Sequence, residues 1–261
     1  QSGLPVADQL GGTFKTGPVE STLIKAIGKH RCIHLALIDP EKSDKDLREI
    51  VEKLEGFGTT AIMVGGSTVA SSQELDQTVR AIKDGCSLPV ILFPNGLSGI
   101  SRFADAIFFM SLLNSSKTQY IIGAQALGAP VVKRFKLEPI PLGYILVGDS
   151  NTAVSSVGQA ELIPYSKPDL AASYALAAQF LGMRFVYLEA GSGATRPVEL
   201  DMVKKVSHEV EVPVIVGGGI KTPEQAQRIA MAGASAIVTG TVLEKEGAGQ
   251  VGKIVAALGR A

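Results

Sequence analysis

Eight short apolar runs rich in β-branched residues recur along the chain, and segments with helical periodicity separate most of them. The runs cover residues 32–39, 61–66, 89–95, 105–114, 143–149, 185–191, 213–219 and 236–241. A run that is apolar throughout predicts a strand buried on both faces, and alternation with helices predicts that the strands are parallel. Eight such units within 261 residues predict an α/β protein of the closed TIM (β/α)8 barrel type.

One connection is too short for a regular barrel. Only the residues from Gly96 to Ala104 separate the third run from the fourth, whereas a crossover that contains a helix needs about 10 to 12 residues. We therefore predict that the third helix is replaced by an irregular segment. Helices are predicted over residues 43–58, 72–85, 118–132, 168–182, 197–210 and 222–234. A further helix over residues 18–29 is predicted to close the bottom or the flank of the barrel, and residues 150–169 are predicted to form a long loop.

The chain shows no linker-like composition between these elements, so residues 18–261 are predicted to form a single barrel domain. Residues 1–17 are interpreted as a leader that is disordered or left over from cloning. They lack the basic region and apolar core of a secretory signal, and no run approaches the roughly 18 apolar residues of a membrane span. We expect a cytoplasmic protein.

Composition excludes several kinds of partner and chemistry. Lys plus Arg and Asp plus Glu both number 25, so no basic field is present to bind nucleic acid. The two cysteines, Cys32 and Cys86, lack metal-ligand spacing and are interpreted as structural thiols. The three histidines are interpreted as structural or solvated, and no P-loop, GxSxG or HExxH motif occurs.

Glycines follow the last two predicted strands. Gly217–Gly219 end the seventh strand, ahead of Thr222 as a helix cap and Pro223 in the first helical turn, and Gly240 with Thr241 ends the eighth. Backbone N–H groups at these two positions form the usual phosphate site of a barrel, assisted by a helix N-terminus. The alternative is that the glycines serve tight turns only.

The sequence YLEAGSG, which ends the predicted sixth strand, contains a single acidic residue, Glu189. Ser192 and the neighbouring N–H groups extend the predicted phosphate site, whereas the charge of Glu189 would repel a phosphate. We therefore predict that Glu189 faces a substrate hydroxyl and accepts its proton as a general base, or orients its oxygen. Tyr187 lies on the same side of the strand. The alternative is a barrel-lining glutamate paired with Arg or Lys.

Two oxygen-bearing side chains end the first and second strands. Asp39 and Ser67 are a pair that suits Mg²⁺, which takes one or two carboxylates together with waters and substrate phosphates. Alternatively, Asp39 is an acid at a helix N-terminus without a metal. A monophosphate at strands 6 to 8 and a metal-bound anion at strands 1 and 2 indicate two phosphorylated substrates.

The motifs LALIDPEK, VGGST, YLEAGSG, VGGGIKTPEQA and VTGT occur in an order and spacing that resemble the geranylgeranylglyceryl phosphate synthases and the related heptaprenylglyceryl phosphate synthases, over roughly residues 20–245. The resemblance implies a barrel without its third helix and prenyl transfer from a prenyl diphosphate, held by Mg²⁺, to sn-glycerol 1-phosphate. It implies Asp39 and Ser67 as metal ligands. The glycerol phosphate site that it implies consists of Tyr187, Leu188, Glu189, Ala190, Gly191, Ser192, Gly193, Gly218, Gly219, Gly240 and Thr241.

The implied reaction makes an ether bond to the C3 hydroxyl of glycerol 1-phosphate, with a geranylgeranyl chain as the expected tail and Glu189 handling the hydroxyl proton. Candidates for the apolar groove are Phe108, Phe109, Tyr120, Ile121 and Ile122, although core packing is an alternative for the two phenylalanines. The central segment resembles the larger branch of the family, which implies a homo-oligomer, commonly a hexamer. A peripheral membrane contact is expected because the substrate and product are lipids. Two other functions stay open: an isomerase or aldolase acting on one sugar phosphate, and a non-catalytic phosphate-binding module.

Overall fold

Eight parallel strands follow one another in chain order around a closed barrel. The computed structural model describes residues 16–42, 46–66, 71–149 and 153–259. The strands are β1 (Ile33–Ile38), β2 (Ala61–Val64), β3 (Val90–Leu92), β4 (Ala106–Leu112), β5 (Glu138–Leu146), β6 (Phe185–Glu189), β7 (Val214–Gly217) and β8 (Ala236–Thr239). Pairing of Ile33 with Ala236 and of Leu35 with Ala61 joins β1 to both neighbours and closes the barrel. The predicted TIM barrel is confirmed.

Helices surround the barrel at most of the predicted positions. They are α1 (Pro18–His30), α2 (Leu47–Phe57), α3 (Ser72–Gly85), α4 (Ala124–Phe135), α5 (Ala153–Gly158), α6 (Pro168–Phe180), α7 (Leu200–Glu209), α8 (Pro223–Met231), α9 (Thr241–Glu246) and α10 (Ala248–Leu258). Thr222 caps α8, because its Oγ1 accepts a hydrogen bond from the Gln225 N–H and Gln225 Oε1 accepts one from the Thr222 N–H. Pro223 occupies the first turn as predicted. The sequence reasoning did not predict α5, α9 or α10, and α5 lies inside the segment expected to be a loop.

The third helix is replaced by a single 3₁₀ turn, Leu97–Gly99, as predicted. On the other side of the resulting gap, the predicted helix over 118–132 begins as a π-helical turn, Gln119–Gly123, before it becomes α4. A Cβ atom on Gly128 of α4 would lie 3.4 Å from Ile100 Cδ1, so glycine allows the helix to approach the irregular segment closely. The gap lies in the layer of helices around the barrel, between this segment and the start of α4, and the barrel of strands itself stays closed.

Strand β5 begins five residues earlier than the predicted range of 143–149, at Glu138, and it contains Pro139 and Pro141. Proline is tolerated in a strand only where its missing N–H is not needed. The Glu138 N–H faces β4, where it donates to Asp105 O, and the Pro141 carbonyl faces the other side and accepts from Arg184 N. The prolines lack N–H donors on the side that faces β6. Because β6 begins only at Phe185, opposite Leu142, no strand pairs with the prolines on that side.

Helix α1 closes the bottom of the barrel, which confirms that prediction. Val19 and Leu23 pack against the apolar side chains that fill the barrel interior. The Glu138 carboxylate accepts hydrogen bonds of 2.8 Å from the N–H groups of Val19 and Glu20 at the first turn of α1. Glu20 is almost fully buried and forms an ion pair with Arg184. Access to the interior is therefore restricted to the opposite, C-terminal end of the strands.

None of the helices in the described parts of the chain has the length and apolar character needed to cross a membrane. The leader predicted over residues 1–17 lies almost wholly outside the described residues, so that interpretation stays a prediction.

Candidate active site

A cavity of about 230 Å³ lies at the C-terminal ends of the strands and extends toward the gap left by the third helix. One part of its wall is polar and glycine-rich, and the other is apolar. The polar part includes Asp39, Gly66, Glu189, Ser192, Gly193, Gly218, Gly219, Lys221, Gly240, Thr241 and Glu244. The apolar part includes Phe93, Leu97, Ile100, Ile107, Phe109, Tyr120, Gly128, Val132 and Val157. The cavity can thus accept a molecule with a charged head and an apolar tail, or two molecules side by side.

Glu189 is the last residue of β6 and lines the cavity, although only 6% of it is exposed. Its Oε1 accepts a hydrogen bond of 2.6 Å from the Gly191 N–H. Burial raises the pKa of the Glu189 carboxyl, and the neighbouring Tyr187 hydroxyl and Gly191 N–H partly oppose that rise. No Lys or Arg in the described part of the chain pairs with it, so the alternative of a paired structural glutamate lacks support. A buried, unpaired carboxylate with a raised pKa is a suitable proton acceptor.

Tyr187 lies two residues before Glu189 and is fully buried in the barrel. Its ring is packed edge-on against that of Tyr144, with 5.2 Å between centroids. Burial and the charge of Glu189 both raise the pKa of the Tyr187 hydroxyl, so it stays protonated. Within the described residues this hydroxyl and Gln125 Oε1 are the two buried side-chain polar atoms that make no hydrogen bond of ordinary geometry. The hydroxyl nevertheless lies close enough to the Glu189 carboxylate for each group to shift the pKa of the other. A buried polar atom without a partner at a cavity wall is an available contact for a ligand.

Glycines with positive φ lie beside Glu189, where Gly193, Gly218 and Gly219 line the cavity and Gly191 is buried behind them. Gly191, Gly193, Gly218 and Gly219 have φ angles of 103°, 72°, 82° and 71°, which side chains other than that of glycine adopt rarely. A Cβ on Gly218 would lie 2.8 Å from Gly191 N and closer still to Glu189 Oε1. Gly240 and Thr241 reach the same cavity at the start of α9. The glycine turns after β6, β7 and β8 therefore meet around one space, as the sequence predicted.

Two members of the site implied by the resemblance have side chains that point elsewhere. Leu188 and Ala190 pack in the core between the barrel and the helices, because alternate residues of a strand face opposite sides. Neither lines the cavity. Tyr187, Glu189, Ser192 and Gly193 do line it.

Asp39 follows β1, is 6% exposed, and lines the cavity near Gly65 and Gly66. Its Oδ1 accepts a hydrogen bond of 3.2 Å from the Glu41 N–H. A Cβ on Gly66 would lie 2.5 Å from Asp39 Cγ and Oδ2, so glycine at that position leaves room for the carboxylate. The second predicted metal ligand, Ser67, lies outside the described residues. The described residues contain no group of three or more His, Cys, Asp or Glu side chains that could hold a metal.

The apolar groove includes part of the predicted set. Phe109 and Tyr120 line it, and Phe108 lines the cavity from the barrel interior, where it is fully buried. Ile121 and Ile122 do not line the cavity, and Ile122 is 59% exposed, so their assignment to the groove was wrong.

Sequence reasoning missed the groove residues on the segment that replaces the third helix and on α4. They are Leu97, Ile100, Gly128 and Val132. The signal was the short connection itself, because a missing helix exposes the apolar face of the next helix along the sheet.

Cys32 and the strand histidine have structural roles, as predicted. His34 is buried, with hydrogen bonds of 3.0 Å to Thr59 Oγ1 and 2.8 Å to Thr239 Oγ1. Burial lowers its pKa to about 3, so it stays neutral. Burial also raises the pKa of the Cys32 thiol to about 12, which makes it unreactive as a nucleophile.

Comparison with known proteins agrees with this geometry. A model of the PcrB family matches residues 25–258. Geranylgeranylglyceryl phosphate synthase of Pyrococcus horikoshii is 54% identical to this chain over 235 residues, which are 90% of this chain and 92% of the relative. The enzyme of the same name from Thermococcus gammatolerans shows the same identity and coverage. The crystal structure of (S)-3-O-geranylgeranylglyceryl phosphate synthase from Thermoplasma acidophilum, in complex with its substrate sn-glycerol-1-phosphate, is 44% identical and aligns with a TM-score of 0.87, covering 92% of this chain and 98% of that one. The chain therefore belongs to the PcrB family.

Proposed function

We propose that this chain is a prenyltransferase that forms an ether bond between the C3 hydroxyl of sn-glycerol 1-phosphate and a prenyl group, with release of diphosphate. The observation that carries the proposal is the position of Glu189, a buried carboxylate without an ion-pair partner in the described residues, in a cavity that has both glycine turns and an apolar groove. The family and the names of the relatives support the same reaction.

The glycine turns supply the site for glycerol 1-phosphate. Gly193, Gly218 and Gly219 offer backbone N–H groups, and Thr241 adds the first turn of α9. With the phosphate bound there, the glycerol chain extends to Glu189 and to the neighbouring Tyr187 hydroxyl. The T. acidophilum protein, which binds sn-glycerol-1-phosphate, supports this substrate.

The chemical step needs a proton acceptor at the attacking oxygen. The C3 oxygen bonds to the allylic carbon of the prenyl group while the bond from that carbon to diphosphate breaks, and the bonding pair leaves with the diphosphate. The hydroxyl proton passes to Glu189 and then to solvent. The burial that raises the pKa of Glu189 makes its carboxylate a stronger base than an exposed one. A positioned general base of this kind contributes about 10² to 10⁴-fold to the rate.

The diphosphate site calls for a cation, which we propose to be Mg²⁺. The charged residues that line the cavity in the described part of the chain are Asp39, Glu189, Glu244 and Lys221. This set has a net negative charge, which opposes binding of a diphosphate. Asp39 would supply one hard oxygen ligand, and diphosphate oxygens, waters and the predicted ligand Ser67 would complete the usual set for Mg²⁺. When bound, Mg²⁺ neutralises the charge that develops on the leaving diphosphate.

The apolar groove supplies the site for the prenyl tail. Phe109, Ile100 and Val132 lie along its wall, in the gap where the third helix is absent. Each buried methylene contributes about 0.8 kcal/mol, so a long chain gains much from such a groove. We propose geranylgeranyl as the natural tail. An isomerase or aldolase of a sugar phosphate would use the glycine turns but has no use for this groove.

Three further expectations follow from the resemblance. We propose a homo-oligomer, with a hexamer as the specific expectation, a peripheral contact with membranes that supply the lipid substrate, and a cytoplasmic location. Size-exclusion chromatography with light scattering measures the first, and sedimentation with lipid vesicles measures the second. Fractionation of cells tests the third.

A transfer assay tests the function. Purified protein is incubated with labelled sn-glycerol 1-phosphate, Mg²⁺ and prenyl diphosphates of increasing length, and label extracted into butanol is counted. The proposal predicts label in butanol, most with geranylgeranyl diphosphate, and its loss when a chelator removes Mg²⁺. Transfer that persists in the presence of the chelator would contradict the proposed requirement for Mg²⁺. Absence of transfer at every length would contradict the function.

A further inference from the structure

Two loops flank the glycine turns that form the proposed phosphate site. One follows β5 and includes Asp149 and Tyr165, and the other connects β6 to α7 and includes residues 190–199. Neither Asp149 nor Tyr165 lines the cavity. Contacts outside the cavity therefore hold the second loop in the position in which Gly193 lines the cavity.

Arg196 joins the two loops. Its Nη2 lies 2.5 Å from Asp149 Oδ2, its Nη1 lies 2.7 Å from Glu199 Oε1, and its guanidinium carbon lies 4.6 Å from the centroid of the Tyr165 ring. Asp149 also accepts a hydrogen bond of 3.3 Å from Tyr165 N. The guanidinium is thus held by two carboxylates and one aromatic face. A lysine could not reproduce this arrangement, because it lacks the planar fork and stacks less well.

The backbone of Arg196 is packed directly against Gly219. A Cβ on Gly219 would lie 2.5 Å from the Arg196 carbonyl carbon and 2.8 Å from Pro197 N. Gly219 has a φ of 71° and belongs to the glycine turn that lines the cavity. Any shift of residues 196 and 197 therefore changes the space in which Gly219 holds its conformation. The side-chain contacts of Arg196 with Asp149, Glu199 and Tyr165 hold residues 196 and 197 in place.

Arg196 also balances local charge. Without its guanidinium, the carboxylates of Asp149 and Glu199 would stand unneutralised on the loops beside an anion site. Like charge near a bound phosphate weakens its binding. Arg196 itself does not line the cavity, so it would act through the loop and not by touching the substrate.

We propose that Arg196 is a positioning residue for glycerol 1-phosphate, which clamps the loop after β6 to the loop after β5 and thereby holds Gly219 and its N–H in place. The proposal rests on the proposed function, because it names a determinant of affinity at the same site. It assigns to Arg196 an effect on glycerol 1-phosphate only, since the clamp acts through Gly219 and none of Arg196, Asp149 and Tyr165 lines the cavity that holds the apolar groove.

The test is steady-state kinetics of Arg196→Ala with each substrate varied in turn, together with calorimetric titration of sn-glycerol 1-phosphate. The loss of an ion-pair network and a cation–π contact predicts a rise of about 10-fold in KM and Kd for glycerol 1-phosphate. KM for geranylgeranyl diphosphate and kcat should change by less than about 2-fold. Arg196→Lys should recover part of the affinity, because it restores the charge without the fork.

Arg48→Ala is the matched control. Arg48 forms an ion pair of 2.7 Å with Asp84, and both side chains are exposed to a degree similar to that of the Arg196 pair, but they lie on α2 and α3, away from the site. This variant should leave both KM values unchanged. Should Arg196→Ala fail to fold, Asp149→Asn removes one arm of the clamp and is expected to raise KM for glycerol 1-phosphate by a smaller factor.

The outcomes separate the two proposals. Wild-type protein that neither binds glycerol 1-phosphate nor transfers prenyl groups would overturn the proposed function and this inference with it. Wild-type protein that is active, with Arg196→Ala and Asp149→Asn binding glycerol 1-phosphate as tightly as wild type, would overturn the inference alone. An equal loss for both substrates would also overturn it, because it would indicate a general structural role.

Discussion

The contact between Gly218 and Glu189 gives the most direct test of how the site is built. Replacing Gly218 by alanine has two separate effects. The first is conformational, because an L-residue at a φ of 82° costs about 1–2 kcal/mol. The second is steric, because the new Cβ would lie 2.8 and 2.9 Å from Gly191 N and O and closer still to Glu189 Oε1. Neither the backbone of Gly191 nor the carboxylate it binds can stay in place.

The steric effect has a predictable size. Displacing Glu189 breaks its 2.6 Å hydrogen bond with the Gly191 N–H, and a hydrogen bond to a charged group contributes about 1.5–3 kcal/mol. We therefore expect Gly218→Ala to lower the free energy of unfolding by about 2.5–5 kcal/mol, the sum of both effects. A displacement of about 1 Å at the reacting group also costs on the order of 10²-fold in rate. Chemical denaturation measures the first quantity, and butanol-extractable label measures the second.

Gly182→Ala separates the two effects. Gly182 has nearly the same φ, 84°, but a Cβ there would meet no atom within 4 Å. This variant should lose only the conformational part, about 1–2 kcal/mol, and keep wild-type activity. The reasoning is refuted if the two variants lose equal stability, or if Gly218→Ala transfers prenyl groups at the wild-type rate.

Three other substitutions have defined outcomes. Burial raises the pKa of Glu189 in the folded state. Its contribution to stability is therefore complete below the pKa of the unfolded state and is lost as the pH rises through the folded pKa. Thermal melts from about pH 4 to about pH 8 should show that Glu189→Gln gains stability relative to wild type as the pH rises. Tyr187→Phe removes a buried hydroxyl that makes no hydrogen bond of ordinary geometry in the described part of the chain, so calorimetry should show little loss of thermal stability with about 10-fold weaker binding of glycerol 1-phosphate; unchanged binding would argue against a contact. Gly66→Ala places a Cβ 2.5 Å from the Asp39 carboxyl group and should raise the Mg²⁺ concentration for half-maximal activity by about 10-fold, whereas Gly56→Ala, with no atom within 4 Å, should not.

The strand ends were predictable from sequence because the signals there are local. Gly218, Gly219 and Gly240 follow apolar runs, and only the parallel order of the strands is needed to bring them together. Glu189 could be assigned to the same space by its place at the end of β6. The absence of the third helix followed from the length of the connection between the third and fourth strands alone.

Features that depend on neighbouring elements were not predictable in the same way. The start of β5 was missed because prolines argue against a strand, and only the late start of β6 makes Pro139 and Pro141 acceptable. The exposure of Ile122 depends on the π-helical turn, in which Ile121 O accepts a hydrogen bond from Ser111 Oγ of β4. Such a long-range hydrogen bond leaves no periodic signal in the sequence.

The side chains of the sixth strand show the same limit at the scale of single residues. A motif marks residues 187–193 as one unit, but strand alternation turns Leu188 and Ala190 toward the helices and only Tyr187 and Glu189 toward the cavity. The clamp of Arg196 was also invisible in sequence, because its partners Asp149 and Tyr165 come from the preceding β–α unit.

The central claim is that Glu189 accepts the proton of a glycerol hydroxyl where the anion site meets the prenyl groove. The most direct measurement compares wild type with Glu189→Gln in the transfer assay, with labelled sn-glycerol 1-phosphate and geranylgeranyl diphosphate at saturation, and binding of glycerol 1-phosphate measured in parallel. The account predicts a loss of about 10² to 10⁴-fold in kcat with binding retained. Full turnover by Glu189→Gln would contradict it.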